Sequence, residues 1–257
     1  MGSKEFSQNG VVMKGLVSSF AMDRVLGWAS PDIDVKGSGN LLEARDLLRN
    51  GVPHVVIANH LSNADGPVIK SIFDAYKFPD PVFMRGTRLN EQWFTRFMAG
   101  GVNGIPVWPE TVIPRDQDED TARAAMNRNA VSAAQEVLSQ GSPLVIFPEG
   151  TRSRDGKMRS ASYKNARYLL LHENTHILPV GLWGTEQVFP IDRKFPTRGF
   201  KAQFAAGRSI PVGQLSIGLD LSEQGGQEEL INRTMGLVAS IIPGEYRGAY
   251  ETKTQGI

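Results

Sequence analysis

Short apolar runs separated by longer stretches of helical period set the first reading of the chain. His54–Ala58, Pro81–Met84, Ile105–Trp108, Pro143–Phe147, Ile177–Leu182 and Lys201–Ala206 have the length and the bounding Pro, Gly and Asn residues of buried strands. Between and after them, apolar positions recur at helical spacing over Leu41–Arg49, Pro67–Tyr76, Glu91–Ala99, Asp120–Ser139, Tyr163–His172 and Gln227–Ile241. The fourth of these helices opens behind Asp118 and Glu119, where carboxylates favour a helix N-terminus, and Gly141 lies just past its end. Strands alternating with helices predict an α/β fold: a mostly parallel sheet flanked by helices.

The ends of the chain follow other patterns. VVMKGLVSSFAMDRVLGW, Val11 to Trp28, predicts an amphipathic N-terminal helix within residues 13–34. Such a helix either packs on the domain or lies in a membrane interface with Trp28 at headgroup depth. MGSKEF reads as a cloning remnant, so residues 1–12 are expected to be foreign or flexible. The main domain is expected over residues 35–242, with a C-terminal tail, 243–257, lacking fixed structure. The Pro- and Gly-rich stretch from Phe189 to Gly213 reads as irregular structure covering a sheet edge.

Composition narrows the chemistry. The 257 residues, 40% of them hydrophobic, are enough for a sizeable core, and a net charge of +1 offers no field for nucleic acid. No cysteine is present, which removes disulfides, thiolate metal sites and a cysteine nucleophile. No apolar run reaches the ~18 residues of a membrane span. The expected location is cytoplasmic, either soluble or peripheral on the inner face of a membrane. No metal site is expected, since His54, His172 and His176 read as strand or helix-face residues rather than ligands at metal spacing.

Two polar clusters fall at strand ends. In VVIANHLSNADGPVI, His60 follows a buried strand and Asp65-Gly66-Pro67 opens a helix. A loop lets the two side chains meet, with Asp65 holding the imidazole Nδ1–H and Nε2 left as a general base. On its own, the pair is better explained as a capped helix start. The second cluster, PEGTRSRDGK, leaves the strand Pro143–Phe147 at what a parallel sheet makes the same edge. There Gly150 allows an anion-binding nest of N–H groups around Glu149, Gly150 and Thr151, and Arg152 and Arg154 supply guanidinium forks. Lys157, Arg159 and Arg167 read as a solvated basic surface. A serine hydrolase has little support, because no Gly-x-Ser-x-Gly elbow is present.

NHLSNAD, Asn59 to Asp65, resembles the His-x4-Asp block of the glycerolipid acyltransferases, the superfamily of glycerol-3-phosphate and 1-acyl-glycerol-3-phosphate acyltransferases. FPEGTRSR, Phe147 to Arg154, is similar to that family's phosphate-binding block, and Ile177-Leu178-Pro179-Val180 to its later apolar-Pro block. The resemblance covers roughly Val35 to Gly207. It implies that His60 and Asp65 are catalytic and that Glu149, Gly150, Thr151 and Arg152 hold the acceptor phosphate, with Glu149 orienting Arg152 or bonding a glycerol hydroxyl. Arg85 stands where the family carries a Lys and is the candidate for the oxyanion or phosphate. The family's Arg near Trp108 is missing, and Arg115 is the candidate replacement.

The implied activity is transfer of a fatty acyl group from acyl-CoA or acyl carrier protein, as co-substrate and with no cofactor, to 1-acyl-glycerol-3-phosphate in phospholipid synthesis. The alternatives are a glycerol-3-phosphate acyltransferase and a non-catalytic lipid- or phosphate-binding module on the same fold. Expected partners are the acyl donor, a glycerol phosphate-type acceptor and a membrane surface reached through the N-terminal helix.

Overall fold

The computed structural model describes residues 7–8, 10–30, 32–87, 100–109 and 112–251. The expected helix Glu91–Ala99 lies outside them. In chain order the first elements are β1 (Ser7–Gln8), β2 (Val11–Val12), α1 (Leu16–Ala29), β3 (Asp34–Lys36), α2 (Ser38–Arg49), β4 (His54–Ala58), α3 (Asp65–Ala75), β5 (Val82–Gly86) and β6 (Asn103–Val107). They are followed by α4 (Gln117–Ser139), β7 (Leu144–Ile146), α5 (Ala166–Leu169), β8 (His176–Trp183), α6 (Thr185–Val188), β9 (Gln203–Ala206), β10 (Ile210–Pro211), α7 (Val212–Leu215) and α8 (Gln224–Ser240).

Strand order is β1-β2-β6-β5-β7-β4-β8-β9-β3, with β10 paired to β8. The central run β6-β5-β7-β4-β8 is parallel throughout. Antiparallel pairs are confined to the margins, at β1–β2, β2–β6, β8–β9 and β8–β10. The mostly parallel α/β fold expected from the alternation of apolar runs is what forms. Parallel strands place all their C-terminal ends on one edge, and the polar residues after β4 and β7 emerge there together.

β4 shows why the sheet needs two covers. All five of its residues are buried. Val56 and Ala58 face a core shared with Met22 and Leu26 of α1, Leu41 and Leu48 of α2, and Ile69 and Phe73 of α3. Val55 and Ile57 face the other core, built with Val137 and Leu138 of α4 and with Leu230, Met235 and Val238 of α8. Side chains alternating across a strand, period two, divide one apolar run between two helical layers.

Four details differ from the sequence reading. Ser7–Gln8 and Val11–Val12 extend the sheet as an antiparallel pair beside β6 rather than forming a loose leader. The expected helix Tyr163–His172 is a 3-10 turn over Tyr163–Asn165 that runs into the short α5 and stops at Leu169, and the Asn165 side-chain amide donates to Pro148 O at 3.1 Å. The tail after Pro243 is folded through residue 251: Tyr250 is buried, and its hydroxyl accepts from Ala161 N at 3.0 Å. Helix α1 is not amphipathic in the simple sense. Met22, Leu26 and Ala29 are buried on one side, while Phe20 and Trp28 stand 68% and 52% exposed on the other. Residues 20, 24 and 28, at spacing four, fall on the outer stripe.

At the opposite sheet edge, the N-terminal ends of β4 and β8 carry a closed histidine network. His54 Nδ1 donates to Val52 O at 2.8 Å, so its Nε2 accepts from Ser209 Oγ at 2.9 Å, and Ser209 in turn accepts from His176 Nδ1 at 3.1 Å. Burial lowers the His54 pKa to about 4, and burial also lowers that of His176. Between the unfolded value near 6.5 and about 4, only the unfolded chain takes up the His54 proton. Folding stability therefore declines as pH falls through that window, by about 3 kcal/mol for this residue. Urea midpoints measured across it in wild type and His54→Gln check this: the variant's profile is expected to be flatter.

Candidate active site

The chain after β4 is organised by one carboxylate. Asp65 is fully buried, and its Oδ2 accepts from His60 Nδ1 at 2.8 Å, Leu61 N at 2.7 Å and Ser62 N at 2.8 Å. Its Oδ1 accepts from the Thr185 hydroxyl at 2.6 Å. A carboxylate only accepts, so the His60 proton sits on Nδ1 and Nε2 is left as the acceptor. The imidazole also stacks on Phe147, with ring centroids 4.2 Å apart at 21°, which fixes its plane.

Asp65 does not cap α3 in the way its Gly-Pro context predicts. Ala64 is the N-cap and Asp65 the first helical residue. Side chains at a helix start lean backwards along the axis, so the carboxylate reaches the N–H groups of the loop behind it rather than those of the helix ahead.

Two further contacts come from β8, the strand beside β4. Asn59 Nδ2 donates to Leu182 O and Asn59 Oδ1 accepts from Leu182 N, both at 2.8 Å. Thr185, immediately beyond β8, brings its hydroxyl to Asp65. Neither is visible to motif reading, since each meets a partner more than a hundred positions away.

On the other side of β4, β7 delivers the second loop. Gly150 has φ +69°, the left-handed conformation in which only glycine is unstrained. The N–H groups of Gly150 and Ser153 donate within the protein, to Phe147 O at 3.0 Å and His60 O at 2.8 Å. Those of Thr151 and Arg152 have no acceptor among the described residues, and the Arg152 guanidinium has no ion-pair partner there. Burial lowers the Arg152 pKa, and the Asp65 carboxylate opposes that shift. Two open N–H groups beside an unpaired, half-buried cation make a cradle for an anion.

Glu149 links the two loops. The sequence reading set it to orient Arg152 or to bond a hydroxyl. Instead Oε1 accepts from His60 N and Oε2 from Arg159 N, each at 2.9 Å. Both partners are main-chain groups, which carry no side-chain signature. Burial pushes the Glu149 pKa up to about 8 against the pull of these two N–H groups. With the Ser153 N–H to His60 O bond, Glu149 fastens the main chain of residue 60 to the phosphate-type loop at both its N–H and its C=O.

His60, Glu149, Gly150, Thr151 and Arg152 line one cavity of about 610 Å³. Arg85 lines it from β5, and its side chain lies across Gly104 of β6, where a Cβ would be 2.4 Å from Arg85 Nε. Arg154 and Arg167 also line it, although Arg167 had read as surface only. Asn63 turns into it with Oδ1 buried and unpaired among the described residues. The apolar part of the wall comes from Phe83, Met84, Val102, Val107 and Ile146. Arg115 is not there. It is 85% exposed and pairs with Glu119 at the start of α4, where an acidic first turn attracts a cation, so it does not stand in for the missing family Arg.

These features coincide with the matches to known proteins. A family model described as Acyltransferase covers residues 33–183. The chain is 24% identical over 168 residues to the chloroplastic 1-acyl-sn-glycerol-3-phosphate acyltransferase LPAT1 of Arabidopsis thaliana, covering 63% of this chain and 41% of that protein. The corresponding chloroplastic enzyme BAT2 of Brassica napus matches at 24% identity, covering 63% of this chain and 42% of that protein. The chain thus spans about two-fifths of the length of these plant relatives. Among solved structures, the 1-acyl-sn-glycerophosphate acyltransferase PlsC of Thermotoga maritima superposes with a TM-score of 0.50 at 25% identity, covering 84% of this chain and 74% of that one. With its family match extending over more than half the sequence and through both strand-end loops, the chain belongs to the acyltransferase family.

Proposed function

We propose that this protein is an O-acyltransferase that moves a fatty acyl group from a thioester to the free hydroxyl of 1-acyl-glycerol-3-phosphate, giving phosphatidic acid. The observation that carries this reading is a histidine base and an anion cradle facing one cavity and tied to each other through Glu149. The names of the plant and Thermotoga relatives support the acceptor, and the apolar wall of the cavity suits a fatty acyl chain. The donor is acyl-CoA or acyl carrier protein, whose thioester carbonyl is the same in either case.

In this mechanism the acceptor phosphate rests on Thr151 N–H, Arg152 N–H and the Arg152 guanidinium. His60 Nε2 takes the proton of the acceptor hydroxyl as its oxygen attacks the thioester carbon. Asp65 stabilises the imidazolium that results, held by three other donors so that it need not move. The C–S bond then breaks, the ester forms, and the thiolate takes the proton back from His60. A thiol has a pKa of about 8.5, so its departure needs no stronger acid. Arg85, which lines the same cavity, offsets negative charge on the carbonyl oxygen or the phosphate in this reading.

A donor and acceptor panel read by mass spectrometry tests the assignment, with wild type expected to acylate 1-acyl-glycerol-3-phosphate. His60→Ala should lower transfer by about 10²–10⁴-fold with its fold intact; a variant as fast as wild type would sink the proposed chemistry. Arg152→Ala should raise KM for the phosphorylated acceptor by about 10–100-fold, the loss of a charge-assisted hydrogen bond, while donor KM stays close to wild type. Glu149→Gln sets an amide N–H₂ against a main-chain N–H. Denaturant unfolding should show a loss of about 1–3 kcal/mol, together with slower turnover.

A further inference from the structure

Past α8 and Pro243 the chain makes two 3-10 turns, Gly244–Tyr246 and Gly248–Tyr250, against the loop that follows β7. The turns hold the stretch Met158–Ala161 by its main chain. Met158 N donates to Tyr246 O at 2.8 Å, Ala249 N donates to Met158 O at 3.0 Å, and Ala161 N donates to the Tyr250 hydroxyl at 3.0 Å. The approach leaves no room for a side chain at residue 248. Gly248 has φ +48°, and a Cβ there would lie 2.3 Å from Met158 O. The Tyr250 ring is buried in the core that it shares with Leu230 and Met235 of α8, so its hydroxyl is aimed by packing.

The stretch held in this way is the one that completes the Glu149 site. Arg159, between the two fastened residues, donates its N–H to Glu149 Oε2, while Glu149 Oε1 accepts from His60 N. Ser160, Ala161 and Ser162 form part of the cavity wall. Hydrogen bonds thus run in series from Tyr250 through Ala161 and Arg159 to Glu149, and from there to the residue that carries the imidazole. Burial raises the Tyr250 pKa, the Ala161 N–H opposes that shift, and the Glu149 carboxylate is near enough to raise it again. The phenol therefore stays neutral beside the carboxylate. Core filling alone would explain the ring, but a phenylalanine would fill the same space. The hydroxyl is explained by the N–H group that it accepts from.

We infer that Tyr250 is a positioning residue for the anion cradle: by holding Ala161 it keeps the Arg159 N–H on Glu149, and Glu149 sets the cradle's place relative to His60. The inference deepens the acyltransferase reading and rests on it in one respect, that a phosphorylated glycerol acceptor occupies the cradle. Tyr250 touches no substrate in this account. It acts through main-chain groups, and its effect falls on acceptor binding rather than on the donor. The same tail also reaches the support of Asp65, since the Tyr246 hydroxyl donates to Glu186 Oε1 at 3.2 Å, next to Thr185.

Tyr250→Phe in the full-length protein keeps the ring and removes the acceptor. Two readouts are taken: calorimetric titration with glycerol-3-phosphate, and KM for 1-acyl-glycerol-3-phosphate in the transfer assay. Both should weaken by about 3–10-fold, the loss of one buried hydrogen bond, with circular dichroism unchanged and donor KM close to wild type. Val137→Ala, a truncation in the same core on α4, is the control, and it should lower thermal stability without moving either readout. Amide exchange gives a measurement on wild type that does not depend on any variant's folding: the Arg159 and Ala161 N–H groups should be protected. The inference is overturned if those two amides exchange as freely as an open loop. It is overturned equally if Tyr250→Phe binds and transfers as wild type does, or is weakened no more than Val137→Ala. Wild type that binds glycerol-3-phosphate but transfers no acyl group, with Tyr250→Phe binding more weakly, would leave the positioning role standing and remove the acyltransferase reading. Transfer by wild type with an unchanged acceptor KM in Tyr250→Phe would do the reverse.

Discussion

A fully buried carboxylate with four donors is the constraint on which the site depends. Asp65 has no water to solvate it, so every one of its hydrogen bonds must come from the protein. The donors arrive from three sources: the imidazole it orients, the main chain of the loop after β4, and Thr185 beyond β8. Withdrawal of any one would leave a charge underpaired in a dry setting, a cost of about 1–3 kcal/mol. Loop conformation, imidazole tautomer and the exit of β8 are therefore fixed by one group.

The two loops are as dependent on each other as on that carboxylate. Residue 60 donates through its N–H to Glu149 and accepts through its C=O from Ser153. The base and the anion cradle share a main-chain attachment, so the distance between them is set by backbone and buried carboxylate and not by flexible side chains. Phe147 belongs to the same arrangement, because it leaves β7 just before the second loop and stacks on the base.

What was legible in the sequence was whatever has a local cause. β4 is read to the residue, since an apolar run between Pro53 and Asn59 leaves no latitude. The two polar clusters were placed at one edge because parallel strands require it. Asp65 was tied to His60 by a spacing of five, too far apart for one helix face, which demanded a loop. The helix after the second loop ends at Leu169 and not at His172, and its Asn165 is held to Pro148 by a tertiary contact with no signature in periodicity. Thr185 and Arg167 escaped for the same reason. Their roles depend on which strands are neighbours, and neighbourhood in this sheet does not follow chain order. Phe20 and Trp28 were read correctly as helical, but a helix with apolar residues on both faces has two candidate buried sides, and the pattern could not choose between them.

Asn59 has a consequence for the rigidity of the proposed base, His60. A buried strand that stops abruptly leaves unpaired N–H and C=O groups on its neighbour, and closing them takes a turn or a water. Here one side-chain amide imitates the missing peptide, occupying both main-chain groups of Leu182 and continuing the ladder by proxy. The backbone at residue 60 is thereby released from β8 and free to change partners, turning to the β7 side. The imidazole consequently rides on the end of the sheet and not at the tip of a loop, and it inherits the stiffness of a strand buried at all five of its residues.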